Sequence, residues 1–140
     1  KTMMITGSLW DETVDWLVKS GATNSEGTPL TYQLVGDNSV TFGNYQRATF
    51  SYIAKDAEDP KETEIKEENK IIFIPTGSTE YTKTNNIYDM AGNVWEWTTE
   101  VGSSCRTFRG GSCWIYDASP IDGRRNSTPV DSDGDLRSYL

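Results

Sequence analysis

One segment of this chain, residues 86–98 (NIYDMAGNVWEWT), constrains the fold more than any other part of the sequence. It combines Trp95 and Trp97, a tyrosine and two acidic residues with a Gly-Asn pair that is typical of a turn. A second motif, residues 108–112 (FRGGS), follows ten residues later. Because residues two apart on a strand face the same side, the sequence predicts that both tryptophans pack into one layer of the core.

Length and composition exclude several classes of protein. A chain of 140 residues is sufficient for a single domain with its own core. The net charge of −8 argues against nucleic acid as a partner, because phosphate binding requires a basic face. The absence of histidine excludes Ser-His-Asp catalysis and His-ligated metal sites. No apolar run reaches the ~20 residues that span a bilayer, so we expect no direct membrane insertion.

The N-terminal segment has the periodicity of an amphipathic helix. We predict Ser8 as its N-cap, with Asp11 three residues later and Gly21 as the C-cap. The predicted apolar face consists of Trp10, Val14 and Leu17.

Beyond this helix the pattern indicates long loops with short strands. Residues 24–44 are rich in Gly, Ser, Thr and Asn, and residues 56–70 hold seven acids, which predicts a solvated surface loop. Residues 71–75 (IIFIP) form a short strand or buried segment that ends at Pro75. Cys105 and Cys113 either form a single bridge or remain free thiols. The predicted class is α+β, with one clear N-terminal helix.

Together the two motifs resemble the formylglycine-generating-enzyme-like (sulfatase-modifying-factor-like) branch of the C-type lectin fold. The start of the helix, residues 6–11 (TGSLWD), is also similar to the family. The resemblance is specific over residues 86–112 and weak between residues 20 and 83. It implies that Trp95 and Trp97 pack at the centre of the core sheet, with the strand that contains Arg109 beside them. The family's extra strand before the first helix is not visible, which leaves open that the chain is the C-terminal part of a longer protein.

The resemblance also implies a structural calcium site. Its ligands would be the side chain of Asp89, the backbone carbonyls of Gly92 and Val94, and the carboxylate of Glu96. Calcium takes six to eight oxygen ligands, so further carbonyls and waters would complete the shell. In the alternative interpretation Asp89 caps a turn and Glu96 pairs with an arginine such as Arg109.

Two enzymatic branches of the family require residues that this chain lacks. The oxidases carry a redox-active cysteine pair beyond the Gly-Gly-Ser motif, where this chain has Ile115 and then residues 116–119 without cysteine. Cys113 follows Ser112 directly, which is the wrong place. The iron-dependent sulfoxide synthases need histidine ligands, and the sequence has none. We therefore expect no enzymatic activity.

Residues 113–140 have an unusual composition. They contain no Lys, Glu, Gln or Met, although residues 1–112 contain 22 of these four types, and all five of their acidic residues are aspartate. Diversity-generating retroelements give this signature, because they randomise the adenines of AAC codons, which cannot become Lys, Glu, Gln or Met. Proteins that these elements diversify resemble this chain, with a variable segment after Arg-Gly-Gly-Ser. Trp114 is outside the reach of an AAC codon, and an ordinary polar loop region is the alternative.

The sequence thus favours a non-catalytic receptor-binding domain, diversified by a retroelement, at a phage tail tip or a bacterial surface. Its partner would be a protein or glycan receptor. The alternatives are a lectin-like module that is not diversified, which binds glycan or assembles a surface protein, and a degenerate relative of the oxidases. Arg109 and Arg137 are assigned to the scaffold. The predicted binding residues are Trp114, Ile115, Tyr116, Asp117, Asp122, Arg125, Asn126, Ser127, Asp131, Ser132 and Asp133.

Overall fold

A computed structural model of the chain describes residues 3–54, 59, 63–101, 105–116, 121 and 125–129. For residues 105, 106 and 125–129 only the backbone is described. The predicted α+β class is confirmed, with one main helix and small antiparallel strand groups. The finer assignment to the C-type lectin fold stays a prediction.

The main helix, α1 (Gly7–Lys19), buries the predicted apolar face of Trp10, Val14 and Leu17. Its N-cap is Thr6 rather than Ser8, because the Thr6 side chain accepts a hydrogen bond from the Leu9 amide at 3.0 Å. Ser20 is the C-cap residue, and Gly21 follows with a φ of 71°, a left-handed conformation that suits glycine.

The second helix is α2 (Tyr32–Asp37), and a 3₁₀ helix (Ser39–Phe42) follows it. Strands β1 (Phe50–Ile53) and β2 (Thr63–Lys66) form one antiparallel pair, and β3 (Lys83–Thr84) and β4 (Ile87–Tyr88) form another. The largest described sheet has the order β5 (Glu96–Val101), β6 (Cys105–Arg109) and β7 (Arg125–Pro129), and it is antiparallel. The two sequence motifs therefore pair as expected, with Glu96 opposite Arg109.

Trp95 and Trp97 both contact the ring of Phe108, at centroid distances of 4.8 and 5.2 Å, so they share one layer as predicted. Both are only partly buried, however, and the expectation that they pack the centre of the core is wrong. The fully buried aromatic residues of the main described core are Trp10, Phe42 and Tyr45, which pack with residues of α1 and α2.

The Arg-Gly-Gly motif connects the sheet to this core. The hydroxyl of Tyr45 donates a hydrogen bond to the carbonyl of Gly110 at 2.9 Å. Gly111 has a φ of 92°, and a Cβ there would be 2.8 Å from the same hydroxyl, so the site requires glycine. The buried Arg109 guanidinium forms ion pairs with Asp11 on α1 and Glu100 on β5, at 2.9 and 2.8 Å. This agrees with its assignment to the scaffold; Arg137 lies outside the described residues.

The prediction of a solvated loop over residues 56–70 is wrong for residues 63–66, whereas residues 67–70 are exposed and form a turn. Residues 63–66 form β2, and Lys66 at its end is fully buried. The Lys66 ammonium donates hydrogen bonds to the carbonyls of Gln46, Ala48 and Glu67 at 3.0, 2.6 and 3.3 Å. A buried charge is tolerated when such donors and acceptors are paired, and residues 55–58 and 60–62 are outside the described part of the chain.

Candidate functional site

Two of the predicted binding residues are prominently exposed. Trp114 is 58% exposed and Tyr116 is 49% exposed, so both aromatic residues are accessible to a partner. Ile115 between them is partly buried and packs against the main core. This differs from the expectation that all three form one displayed face, because a turn at residues 113–114, closed by a hydrogen bond from the Ile115 amide to the Ser112 carbonyl, directs Ile115 towards the core.

Residues outside the predicted segment extend this surface. Phe73 is 49% exposed, and its ring lies 6.4 Å from that of Trp114 at an angle of 56°. The guanidinium of Arg47 lies over the ring of Tyr116, 5.9 Å from its centroid. We refer to Phe73, Trp114, Tyr116 and Arg47 as the aromatic surface. Sequence reasoning missed Phe73 and Arg47, because residues 71–74 (IIFI) are all apolar and no alternation in the sequence singles out Phe73.

Hydrogen bonds with residues 46 and 47 hold the backbone of residues 114–116 in the aromatic surface. The side-chain amide of Gln46 donates to the Trp114 carbonyl at 2.9 Å. The backbone amides of Gln46 and Arg47 donate to the carbonyls of Ile115 and Tyr116 at 2.9 and 3.3 Å. The half-exposed rings therefore project from a backbone that is fixed by hydrogen bonds.

The other predicted binding residues are described only in part. Arg125, Asn126 and Ser127 lie on β7, which pairs with β6, and their side chains are not described. The remaining five residues lie outside the described part of the chain: Asp117, Asp122, Asp131, Ser132 and Asp133.

Two residues beyond Ser112 belong to the core. Cys113 and Ile121 are both fully buried, and the Trp10 indole donates to the Ile121 carbonyl at 2.7 Å. The expectation that the recognisable scaffold ends at Ser112 is therefore incomplete. Cys113 is a free thiol, and burial raises its pKa to about 11. Such a thiol is almost entirely protonated at neutral pH, which makes it a poor nucleophile.

A second candidate site surrounds Asp89, a buried residue that follows β4 with a φ of 59°. Among the described residues, neither of its carboxylate oxygens has a hydrogen-bond partner. Burial raises the pKa of Asp89. The nearby hydroxyls of Thr82 and Thr76 lower this pKa in part, but burial is the larger effect. A buried carboxylate of this kind is costly, because the nearby hydroxyls only partly replace the hydration that it loses.

Glu96 is the second acidic group of this site. Burial raises the pKa of Glu96 to about 7, and the charge of Asp89 adds to the rise. The alternative in which Glu96 pairs with Arg109 is not realised by an ion pair, although the two residues are register partners, since the Arg109 ion pairs go to Asp11 and Glu100. Asp89 and Glu96 thus repel each other in a poorly hydrated place.

These observations fit a bound cation. An ion between the carboxylates would replace the missing partners of Asp89 and offset the repulsion from Glu96. Within the described residues, no group of three or more His, Cys, Asp or Glu side chains could hold a metal ion. Any ion here would therefore need neutral oxygens as well, as the implied carbonyls of Gly92 and Val94 would supply. Gly92 is buried and Val94 is partly buried, and both residues lie between Asp89 and Glu96 in the sequence.

In the part of the chain that the structure describes, no helix has the length and apolar character needed to cross a membrane. Comparison with models of known protein families, with curated proteins and with solved structures finds no match for the chain. A function for the chain must therefore be inferred from its own residues.

Proposed function

We propose that the chain is a non-catalytic ligand-binding domain that uses the aromatic surface to contact a receptor. The observation that carries this proposal is the exposure of Phe73, Trp114 and Tyr116, each about half accessible, on a backbone held by hydrogen bonds. Aromatic residues and arginine dominate the binding energy of protein interfaces, because they bury large areas with few rotatable bonds. An exposed cluster of this kind is costly unless a partner covers it.

The C-type lectin fold and diversification by a retroelement are part of the same proposal. Support comes from the two motifs and from the absence of Lys, Glu, Gln and Met in residues 113–140. Trp114 and Tyr116 of the aromatic surface lie at the start of this segment, whereas Arg47, Phe73 and the supporting Gln46 lie outside it and would remain constant under diversification. The expected setting is a phage tail tip or a bacterial cell surface, with a protein or glycan receptor as partner.

The proposal assigns calcium a structural role. Asp89 and Glu96, together with the carbonyls of Gly92 and Val94, would hold the ion. When bound, calcium supplies positive charge that neutralises two carboxylates, and it takes no part in catalysis. The free Asp89 oxygens and the raised pKa of Glu96 support this assignment.

A triple variant, Phe73→Ser, Trp114→Ser and Tyr116→Ser, tests the role of the aromatic surface. A matched control replaces three exposed apolar residues elsewhere, Leu9, Trp16 and Ile65, with serine. Binding would be measured on a panel of bacterial cells and immobilised glycans, and folding by thermal melting.

We expect the surface variant to melt close to the wild type, because exposed side chains contribute about 0.5 kcal/mol or less each. Its binding should be lost, whereas the control variant should retain both folding and binding. Equal binding by the surface variant and the wild type would contradict the proposed function. Diversification has its own test, which is to sequence the flanking DNA for a reverse transcriptase and a template repeat with adenine-specific differences.

A further inference from the structure

Asn93 occupies the centre of a buried hydrogen-bond network between the candidate cation site and the aromatic surface. It is 4% exposed, has a φ of 61° and stands four residues after Asp89 and three before Glu96. Its backbone amide donates to the Asn44 carbonyl at 2.9 Å. Its side-chain oxygen accepts from the side-chain amide of Asn44 at 3.1 Å. Asn93 and Asn44 are both buried, so the hydrogen bond between their side chains is shielded from water and strengthened.

The network reaches Phe73 from both sides. The Asn93 side chain accepts a hydrogen bond from the Ile74 amide at 3.1 Å and donates one to the Ile74 carbonyl at 3.0 Å. It thus pairs with the Ile74 backbone as a residue of a neighbouring strand would. The side-chain amide of Asn44 donates to the Ile72 carbonyl at 2.9 Å. The two residues that flank Phe73 are therefore fixed by two asparagine side chains, and the Phe73 ring is directed outward between them.

The same residue also fixes the start of the segment that carries Trp114. The backbone carbonyl of Asn93 accepts a hydrogen bond from the Cys113 amide at 3.0 Å. Asn93 therefore makes direct contact with the neighbours of both rings of the tilted Phe73–Trp114 pair. Gly92 keeps the network close, because a Cβ at this position would be 2.3 Å from the Asn44 carbonyl oxygen.

We propose that Asn93 is the positioning residue of the aromatic surface and that it couples the geometry of Phe73 and Trp114 to cation binding at Asp89 and Glu96. This inference rests on the proposed function, because it assumes both the surface and the cation. The physical reason is that Asp89 and Asn93 lie in the short loop between β4 and β5, and Glu96 begins β5 directly after that loop. Without a cation, repulsion between the two carboxylates favours open forms of that loop, and Asn93 moves with it. A bound cation closes the loop and thereby orders both rings, and by linkage a receptor on the rings strengthens cation binding.

Terbium luminescence, sensitised by the protein's tryptophans, measures cation binding without a receptor. Amide hydrogen exchange with and without calcium then reports the coupling at Cys113 and at Gln46, whose amide bonds to the Ile115 carbonyl. The amides of Asn38 and Ile53, which bond to Leu34 and Ser78, serve as references elsewhere in the chain. At a calcium concentration one hundred times Kd, loop-dependent opening should slow exchange at Cys113 and Gln46 by up to about a hundredfold, and by much less at the reference amides.

The matched variants are Asn93→Gly and Asn86→Gly. Both remove an asparagine from a left-handed position, with φ values of 61° and 65°, and glycine retains that backbone conformation. Asn86 is exposed, whereas Asn93 is the centre of the network. We expect both variants to bind terbium, but Asn93→Gly should lose the calcium effect at Cys113 and Gln46 while Asn86→Gly keeps it.

The wild-type experiment decides the matter if Asn93→Gly does not fold. Equal slowing at all four amides, or terbium binding without slowing at Cys113 and Gln46, would overturn the coupling and leave calcium binding intact. Absence of terbium luminescence would overturn both the coupling and the calcium assignment. Neither result affects the binding role of the aromatic surface, because the serine variants test that role without a cation.

Discussion

Glu96 should make the cation-free domain less stable as the pH rises, which is the reverse of the usual effect of a carboxyl group. Burial and the charge of Asp89 raise the pKa of Glu96 from 4.5 to about 7 in the folded protein. The folded state therefore holds this proton more tightly than the unfolded state. The contribution of Glu96 to the free energy of unfolding is largest below pH 4.5 and decreases as the pH rises to about 7, above which it is constant.

The size of this effect follows from the shift in pKa. One pKa unit corresponds to about 1.4 kcal/mol, so ionisation of Glu96 costs the folded state up to about 3 kcal/mol, and less to the extent that solvent reaches this partly buried group. The variant Glu96→Gln removes the charge and retains the shape. In EDTA at pH 8 we expect it to be more stable than the wild type, and at pH 4.5 the two should be similar.

Urea unfolding between pH 4.5 and 8, in EDTA and in calcium, measures these differences. Glu12→Gln, at an exposed glutamate on α1, is the control and should follow the wild type. Calcium should stabilise the wild type at pH 8 by about 2.7 kcal/mol at a hundredfold excess over Kd, and Glu96→Gln much less. Parallel pH profiles for Glu96→Gln and the wild type in EDTA would show that Glu96 is not held in a repulsive, poorly hydrated place.

Three further outcomes are expected. In urea unfolding, Gly92→Ala should destabilise the domain by about 3 kcal/mol or more, because the added Cβ would meet the Asn44 backbone. The control Gly27→Ala has the same left-handed backbone in open space and should destabilise the domain by about 1–2 kcal/mol. Equal losses of stability in the two variants would contradict the close approach of Gly92 to Asn44. Lys66→Met should lower the free energy of unfolding by about 3 kcal/mol in the same assay, because the carbonyls of Gln46, Ala48 and Glu67 lose their buried donor. Lys70→Met, at an exposed ion pair, should lower it by less than about 1 kcal/mol. Incubation with a cysteine-containing sulfatase peptide, copper and oxygen should give no formylglycine by mass spectrometry, and turnover that disappears in Cys113→Ser would refute this.

Local patterns in the sequence predicted the elements whose stability depends on short-range periodicity. The apolar face of α1 is of this kind, whereas the pairing of the two motifs across β5 and β6 was implied by the resemblance to the C-type lectin fold. The N-cap was misplaced by two residues, from Thr6 to Ser8, because both hydroxyl residues satisfy the same local rule and the backbone decides between them. The exposed positions of Trp114 and Tyr116 agree with the predicted binding segment.

Long-range contacts account for what the sequence did not reveal. Lys66 stands in a strongly charged stretch, and its burial depends on carbonyls of residues 46 and 48, which are distant in sequence. Asn93 has the appearance of an ordinary turn residue, yet its side chain pairs with Ile74, nineteen positions away. Arg47 becomes part of the aromatic surface only because the backbone of residues 46 and 47 pairs with residues 115 and 116.

A pair of displayed libraries tests most directly whether the chain presents a variable binding surface. One library randomises every predicted binding residue except Ile115, which packs on the core, and the other randomises as many exposed positions of α1, α2 and β2. Both are selected for resistance to protease and then for binding to a panel of purified proteins and immobilised glycans. The proposed function predicts that the first library stays folded and yields specific binders, while the second yields few or none. A first library that is largely cleaved by protease, or binders that arise equally often from both, would contradict it.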